Sequence, residues 1–334
     1  MKICLLGETR GNMDEGMRNL SSLIAHHLEM KHDVLFLDLR DVLSVEFWRK
    51  VKAFNPDIIH YLHGPTLKSF MITKILATYS DCSKTIMSAM RPIILRPFAW
   101  LLFFLKPNII LTQSLESENL FQRYGIRTQF FPSGVDVNRF FPVDDHKKKQ
   151  LRRKYNLDES EFYILHIGSI KEGRNITFLK QFQNGGNSVI IVGAGNCVNS
   201  QIYNSLSKLG CVIILRYIEN IQELYNLSDC YIYPTVAGYD FLGRATADSI
   251  EMPLTVLEAM ACNLPVITTR FGALPRVFDN GDGFYFIQTA EEVNDAITQI
   301  KSGAISETRK KVMAVSHEDL MTQLEDIYEQ VFWI

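Results

Sequence analysis

The sequence predicts an α/β protein made of two doubly wound parallel-sheet units in series. Its 334 residues exceed one ordinary core and fit two domains of roughly 150 residues each. Short β-branched runs alternate with helical patterns, the signature of βαβ units. The alternation breaks at Phe131-Pro132-Ser133-Gly134 and restarts at Phe162.

In the first unit the strand candidates are Lys2–Leu6, Asp33–Leu37, Ile58–Tyr61, Thr85–Ser88, Ile109–Thr112 and Thr128–Phe131. Between the first two, Leu20, Leu23, Ile24 and Leu28 fall on one face of a helix over Met17–Glu29. The basic stretch Asp144–Arg153 reads as a solvated linker leading into a helix. In the second unit the candidates are Phe162–Ile167, Ser188–Val192, Cys211–Leu215, Cys230–Tyr233, Pro265–Thr268 and Gly283–Phe286. A helix lies between the fourth and fifth of these, with Pro253 in its first turn, Thr255–Cys262 as its body and Asn263 as a left-handed stop. A last amphipathic helix covers Glu318–Phe332. Doubly wound sheets bind ligands at the carboxyl ends of their strands, so facing edges would put a site in the interdomain cleft.

The net charge of -2 argues against a nucleic-acid partner. Residues 1–140 carry 17 Lys+Arg against 13 Asp+Glu, about +4, leaving 18 against 24, about -6, for the rest. A mildly basic first half suits an acidic acceptor or an anionic membrane surface. The six cysteines are scattered without metal spacing, which reads as reduced buried thiols in a cytoplasmic protein. The segment Met1–Gly7 is too short for a signal peptide, and Pro97–Leu105, the longest apolar stretch, is too short to span a bilayer. The stretch 93–106 combines apolar bulk with basic edges. It fits a peripheral contact with the inner face of a membrane, or equally a buried helix of the first domain.

Three segments could carry chemistry. Gly7-Glu8-Thr9-Arg10-Gly11, followed by Gly16, is a glycine-rich turn that lets a ligand approach backbone N–H groups at a helix start. Gly168-Ser169-Ile170-Lys171-Glu172-Gly173-Arg174 follows a strand and offers two cations for a diphosphate, with Gly193 opening a second glycine loop. The third, Glu251-Met252-Pro253-Leu254-Thr255-Val256-Leu257-Glu258, joins a helix N-terminus suited to a leaving phosphate with two carboxylates suited to sugar hydroxyls.

The segment Ser228–Pro275, together with Pro132-Ser133-Gly134-Val135-Asp136 and the spacing from Gly168 to Arg174, resembles retaining glycosyltransferase family 4, the group 1 glycosyl transferases. The resemblance implies the GT-B fold: an acceptor-binding Rossmann-like domain over 1–140, a nucleotide-sugar-binding Rossmann-like domain over 141–315, and a helix over 316–334 returning to the first. It implies that Glu258 holds the ribose, that Arg174 with Lys171 neutralises the diphosphate, and that Leu254 and Thr255 reach the phosphates. Gly168, Ser169, Gly193 and Arg216 would complete the donor site, and Glu251 would grip the transferred sugar. On the residues themselves, the turn with Gly7, Gly11 and Gly16 would face the acceptor; the family's histidine after the fourth strand is absent, where Ser88-Ala89-Met90-Arg91 stands, and His63 at the end of an earlier strand could face the acceptor or be structural.

Two departures stand out. The family's first glutamate should lie at Ile250 and its arginine after Gly168 at Ser169. The implied reaction moves a sugar from a UDP- or GDP-sugar to a sugar or lipid-linked acceptor, with retention, in glycan, glycolipid or surface-polysaccharide synthesis. No DxD stands in a loop suited to a metal, so neither metal nor cofactor is expected. A weakened donor-binding subunit and, more remotely, a sugar-nucleotide epimerase are the rival readings.

Overall fold

The computed structural model describes residues 1–8, 10, 16–81, 84–91, 99–193, 198–238, 246–247 and 249–333. The first sheet comprises β1 (Lys2–Gly7), β2 (Asp33–Asp38), β3 (Ile58–Gly64), β4 (Lys84–Ala89), β5 (Ile109–Thr112) and β6 (Thr128–Phe130), in the order β2-β1-β3-β4-β5-β6. Its helices are α1 (Gly16–Glu29), α2 (Val45–Phe54), α3 (Leu67–Tyr79), α4 (Leu102–Leu105) and α5 (Leu115–Arg123). The second sheet comprises β7 (Phe162–Ile167), β8 (Asn187–Val192), β9 (Val212–Ile214), β10 (Cys230–Tyr233), β11 (Val266–Thr268) and β12 (Phe284–Phe286), in the order β12-β11-β10-β7-β8-β9. Around it run α6 (Asp145–Lys154), α7 (Ser200–Ser207), α8 (Gln222–Leu227), α9 (Leu254–Ala261), α10 (Leu274–Val277), α11 (Ala290–Lys301), α12 (Thr308–Val312) and α13 (His317–Trp333). Every strand pair is parallel.

Strand order reverses between β1 and β3 in one sheet and between β7 and β10 in the other. At such points the neighbouring loops run to opposite faces and leave a crevice, the standard ligand position in open α/β sheets. All twelve predicted strands are present, with ends shifted by a residue or a few. The predicted linker 144–153 is instead mostly helix: Asp144 accepts from the Lys147 N–H at 2.7 Å and caps α6. Lys148 and Arg152 of α6 both reach the Asp229 carboxylate, at 2.7 and 2.6 Å, pinning the helix beside β10.

The units are tied where the chain crosses between them. The Val135 N–H donates to Val315 O at 3.2 Å and the His317 N–H to Val135 O at 3.0 Å. Helix α13 then lies on the first domain. Its Glu325 meets His27 and Lys31, each at 2.7 Å, and its buried Tyr328 hydroxyl lies 2.6 Å from His60 Nδ1. Ser88 Oγ takes the other His60 nitrogen at 2.8 Å, and burial pushes this imidazole down to about 3. Neutral His60 therefore acts as a buried bracket between α13 and two strands. Cys4, Cys211, Cys230 and Cys262 are buried, as cysteines in apolar runs should be. Among the described residues no helix is long and apolar enough to cross a membrane.

Candidate active site

The carboxyl edge of the second sheet brings together most of the predicted donor residues. Gly168 leaves β7 with its N–H on Val192 O at 2.9 Å, and Gly193 leaves β8 with its N–H on Ile214 O at 3.0 Å. A β-carbon on Gly168 would come within 3.0 Å of the His166 ring, and one on Gly193 within 3.1 Å of Ile170, so a side chain at either would make its neighbour shift. Gly173 has φ +81, and a β-carbon would run into the backbone of Thr246. That closeness presses the loop 168–175 against the segment leading to α9. The half-buried Arg174 donates from Nη1 to Ser249 Oγ at 3.0 Å, and Ser249 lies 2.9 Å from the Tyr233 hydroxyl. The Lys171 N–H donates to Ser169 O at 3.1 Å, within the same loop.

Leu254 and Thr255 form the first turn of α9, whose free N–H groups and dipole favour an anion. The buried Tyr231 hydroxyl donates to Thr255 Oγ1 at 2.7 Å. Arg216 is exposed beyond the end of β9, in electrostatic reach of Tyr155. The rest of the Gly193 loop, 194–197, lies outside the described residues.

Glu258 lies one turn into α9, and the buried Tyr225 donates to its Oε2 at 2.6 Å. Burial raises the Glu258 carboxyl to about 7, against the opposing pull of that hydrogen bond and of Arg139. A group with a raised folded value binds its proton in the folded state while the unfolded chain has lost it. Its contribution to stability therefore falls as pH rises from about 4.5 to about 7 and is level above that. The ionised form is the one that accepts hydrogen bonds from a pair of hydroxyls. Donor KM should accordingly rise as pH falls below about 7, by up to about tenfold per unit. A KM profile from pH 5.5 to 8.5 checks this, and a flat profile would count against the ribose contact expected of Glu258.

Glu251 is a correction. Its sequence position suggests a grip on the transferred sugar, but its side chain is only 1% exposed and turns into the first domain. Oε1 accepts from Ser114 Oγ and Ser117 Oγ, both at 2.7 Å, and Oε2 from the Ser114 N–H at 3.2 Å. Ser114 is the N-cap of α5, so the carboxylate sits where that helix presents unpaired N–H groups. The Glu251 N–H donates to Met90 O at 2.9 Å and the Met252 N–H to Gln113 Oε1 at 3.1 Å. Arg276 pairs with Glu118 of α5 and lies 4.0 Å over the Phe130 ring. This edge is an interdomain clasp, and Glu251 is its centre.

On the first domain, the reversal between β1 and β3 opens into a cleft of about 370 Å³ lined by Glu8, Arg40, Tyr61, His63, Lys68 and Arg91, among others. Gly7 ends β1, and a β-carbon there would come within 3.0 Å of Phe36. His63 lines the cleft with Nε2 2.8 Å from Ser21 Oγ. Gly16 is the first residue of α1, and Gly11 lies outside the described residues.

Sequence reasoning missed His166, which is 1% exposed beneath the donor loop. Its Nδ1–H donates to Ile232 O at 2.9 Å and its ring stacks on Tyr231, 6.3 Å between centroids. Burial, aided by Arg174, pushes it down to about 4, so it is neutral. Tyr225, Tyr231 and Ser249 were missed as well. A histidine inside an apolar strand was the one available signal.

Two Rossmann-like domains with a glycine- and arginine-bearing loop over the second sheet define the GT-B class of glycosyltransferase fold. Residues 161–302, within the second domain, match the family model described as Glycosyl transferases group 1. An N-acetyl-alpha-D-glucosaminyl L-malate synthase from Bacillus anthracis is 26% identical over 213 residues, 59% of this chain and 52% of that protein. A probable sucrose-phosphate synthase from Thermosipho melanesiensis is 26% identical over 197 residues, 54% of this chain and 42% of that protein. The chain thus spans about half the length of these curated relatives. Among solved structures, Anabaena HepE in complex with UDP and glucose superposes with a TM-score of 0.74 at 16% identity, covering 99% of this chain and 100% of that one. A glycosyltransferase from Rickettsia africae superposes at 0.77 and 15% identity, covering 99% and 98%. At such identities the superpositions speak to the fold.

Proposed function

We propose that the protein is a retaining glycosyltransferase that moves a sugar from a nucleotide diphosphate to an acceptor hydroxyl, in the synthesis of a glycan, glycolipid or surface polysaccharide. The observation that carries this reading is the convergence of Arg174, the α9 N-terminus and Glu258 at the reversal point of the second sheet. Breaking the glycosidic bond places charge on the β-phosphate, and preorganised cations and N–H groups lower that barrier most where charge develops. Arg174, Lys171 and the first turn of α9 take this role. Same-face attack, with the departing phosphate accepting the acceptor proton, needs no protein nucleophile. A UDP-sugar is the preferred donor on the likeness to HepE, whose complexes contain UDP and UDP-glucose. The first-domain cleft takes the acceptor. These cations supply the charge that a metal would otherwise bring, so activity is expected to survive a chelator.

Thermal shift with UDP, GDP, ADP and the matching monophosphates tests the donor site. A diphosphate at a hundred times its Kd stabilises by about 2.7 kcal/mol, enough to raise Tm by several degrees. The matching monophosphate should do much less. No response to any diphosphate would overturn the donor site, and binding without turnover in EDTA or magnesium would favour a donor-binding subunit instead.

A further inference from the structure

The outer side of helix α3 sets apolar side chains among lysines. Phe70, Ile72 and Leu76 are buried against the first sheet, while Met71 and Ile75 are 45% and 50% exposed on the outer side. Lys68, Lys74 and Thr78 are exposed on the same helix. The neighbouring α4, which packs beside α3, buries Leu102 and leaves Phe103 and Phe104 55% and 70% exposed, with Trp100 just before it at 57%. Trp100 and Phe104 lie edge to face at 6.5 Å, and Phe103 meets Tyr124 at 5.9 Å, so the aromatic group is ordered rather than scattered. Lys68, Lys74 and Lys106 are exposed on the same two helices and their flank. Residues 58–115 contain six Lys+Arg and a single acid, Asp81, in a chain whose net charge is -2.

We infer that the outer face of α3 and α4 is a docking surface for an anionic lipid bilayer, with Trp100, Phe103, Phe104, Met71 and Ile75 entering the headgroup region. The charge decides for a bilayer over a second copy of the chain. Two copies facing each other would bring like-charged lysines together, whereas anionic headgroups complement them. Tryptophan and phenylalanine beside lysine are the residues that settle at a membrane interface. Apolar insertion and charge act together here, since either alone gives weak, reversible binding. The N-terminal end of α3 carries Thr66 and Lys68 into the lining of the first-domain cleft. If the transferase reading holds, docking sets that cleft beside the bilayer, where a lipid-linked acceptor would be presented; the docking itself does not depend on that reading.

Flotation of the full chain with phosphatidylcholine vesicles, with and without phosphatidylglycerol, tests the surface. The protein should float with the anionic vesicles, stay at the bottom with the neutral ones, and be released by salt as screening sets in. The combined Trp100→Ser, Phe103→Ser and Phe104→Ser variant should reduce the bound fraction at least about tenfold, and so should Lys68→Glu with Lys74→Glu. Both variants should keep the nucleotide-induced thermal shift, which certifies the fold and separates this result from the donor-site test. Wild type that stays at the bottom with anionic vesicles overturns the proposal. So does a wild-type dimer that the aromatic variant converts to monomer, which would assign the face to self-association.

Discussion

Replacing Arg174 with alanine is expected to lower the turnover number by about 10²–10³, with the fold intact. The arginine is placed by backbone as much as by its own contacts. Gly173 at φ +81 lets the loop close on Thr246, and Asn175 follows at φ 54, also left-handed. Ser249 Oγ then accepts from Nη1 at 3.0 Å and holds the guanidinium over the edge where β7 and β10 part. A charge fixed before the reaction needs no reorganisation as the diphosphate departs, so its removal should act on the chemical step. The lysine replacement is the informative control. It keeps the charge and loses the planar fork, so activity should fall between wild type and the alanine variant. Donor KM should move much less than kcat if the contact strengthens as charge develops. Full activity in Arg174→Ala would sink the assignment, and equal losses in Tm and kcat would make the arginine a structural residue.

Arg174 also shows what the sequence makes legible. A cation just after a glycine, in a strand-to-helix loop, is a local pattern, and so is Glu258 in an apolar helix behind Pro253. Strand periodicity and glycine position are likewise written over a few neighbouring residues, which is why all twelve strands can be read. Contacts that close over long stretches of chain leave no such trace. Ser114 and Glu251 are 137 positions apart, His60 and Tyr328 are 268 apart, and nothing in either neighbourhood specifies the partner. The exposed Met71 and Ile75 of α3 are likewise illegible in sequence, because only the packing shows which apolar residues of a helix are left without cover.

Glu251→Ala is expected to destabilise the protein by about 3 kcal/mol, lowering Tm by about 4 °C. The carboxylate accepts from two hydroxyls and one backbone N–H, all buried, and alanine would leave these three donors without their acceptor. Burial also holds the carboxyl above its ordinary range, with the serine donors pulling it back, so the charge is tolerated only because the clasp is complete. Glu251→Gln retains the shape and an acceptor oxygen while the serine hydroxyls can rotate to meet its amide, and should cost about 1 kcal/mol. Because the partners belong to different domains, the alanine variant should also relax the clasp and open the cleft. An increase in the radius of gyration by small-angle scattering would register that opening, alongside the drop in Tm. Ser114→Ala with Ser117→Ala should lose much of the same stability, and adding Glu251→Ala to it should cost little more, the mark of one shared network. A sugar-gripping glutamate predicts the reverse: an unchanged Tm, an unchanged radius and a turnover number reduced by orders of magnitude. The two roles are therefore separable in one variant, and the buried triad of donors around the carboxylate favours the clasp.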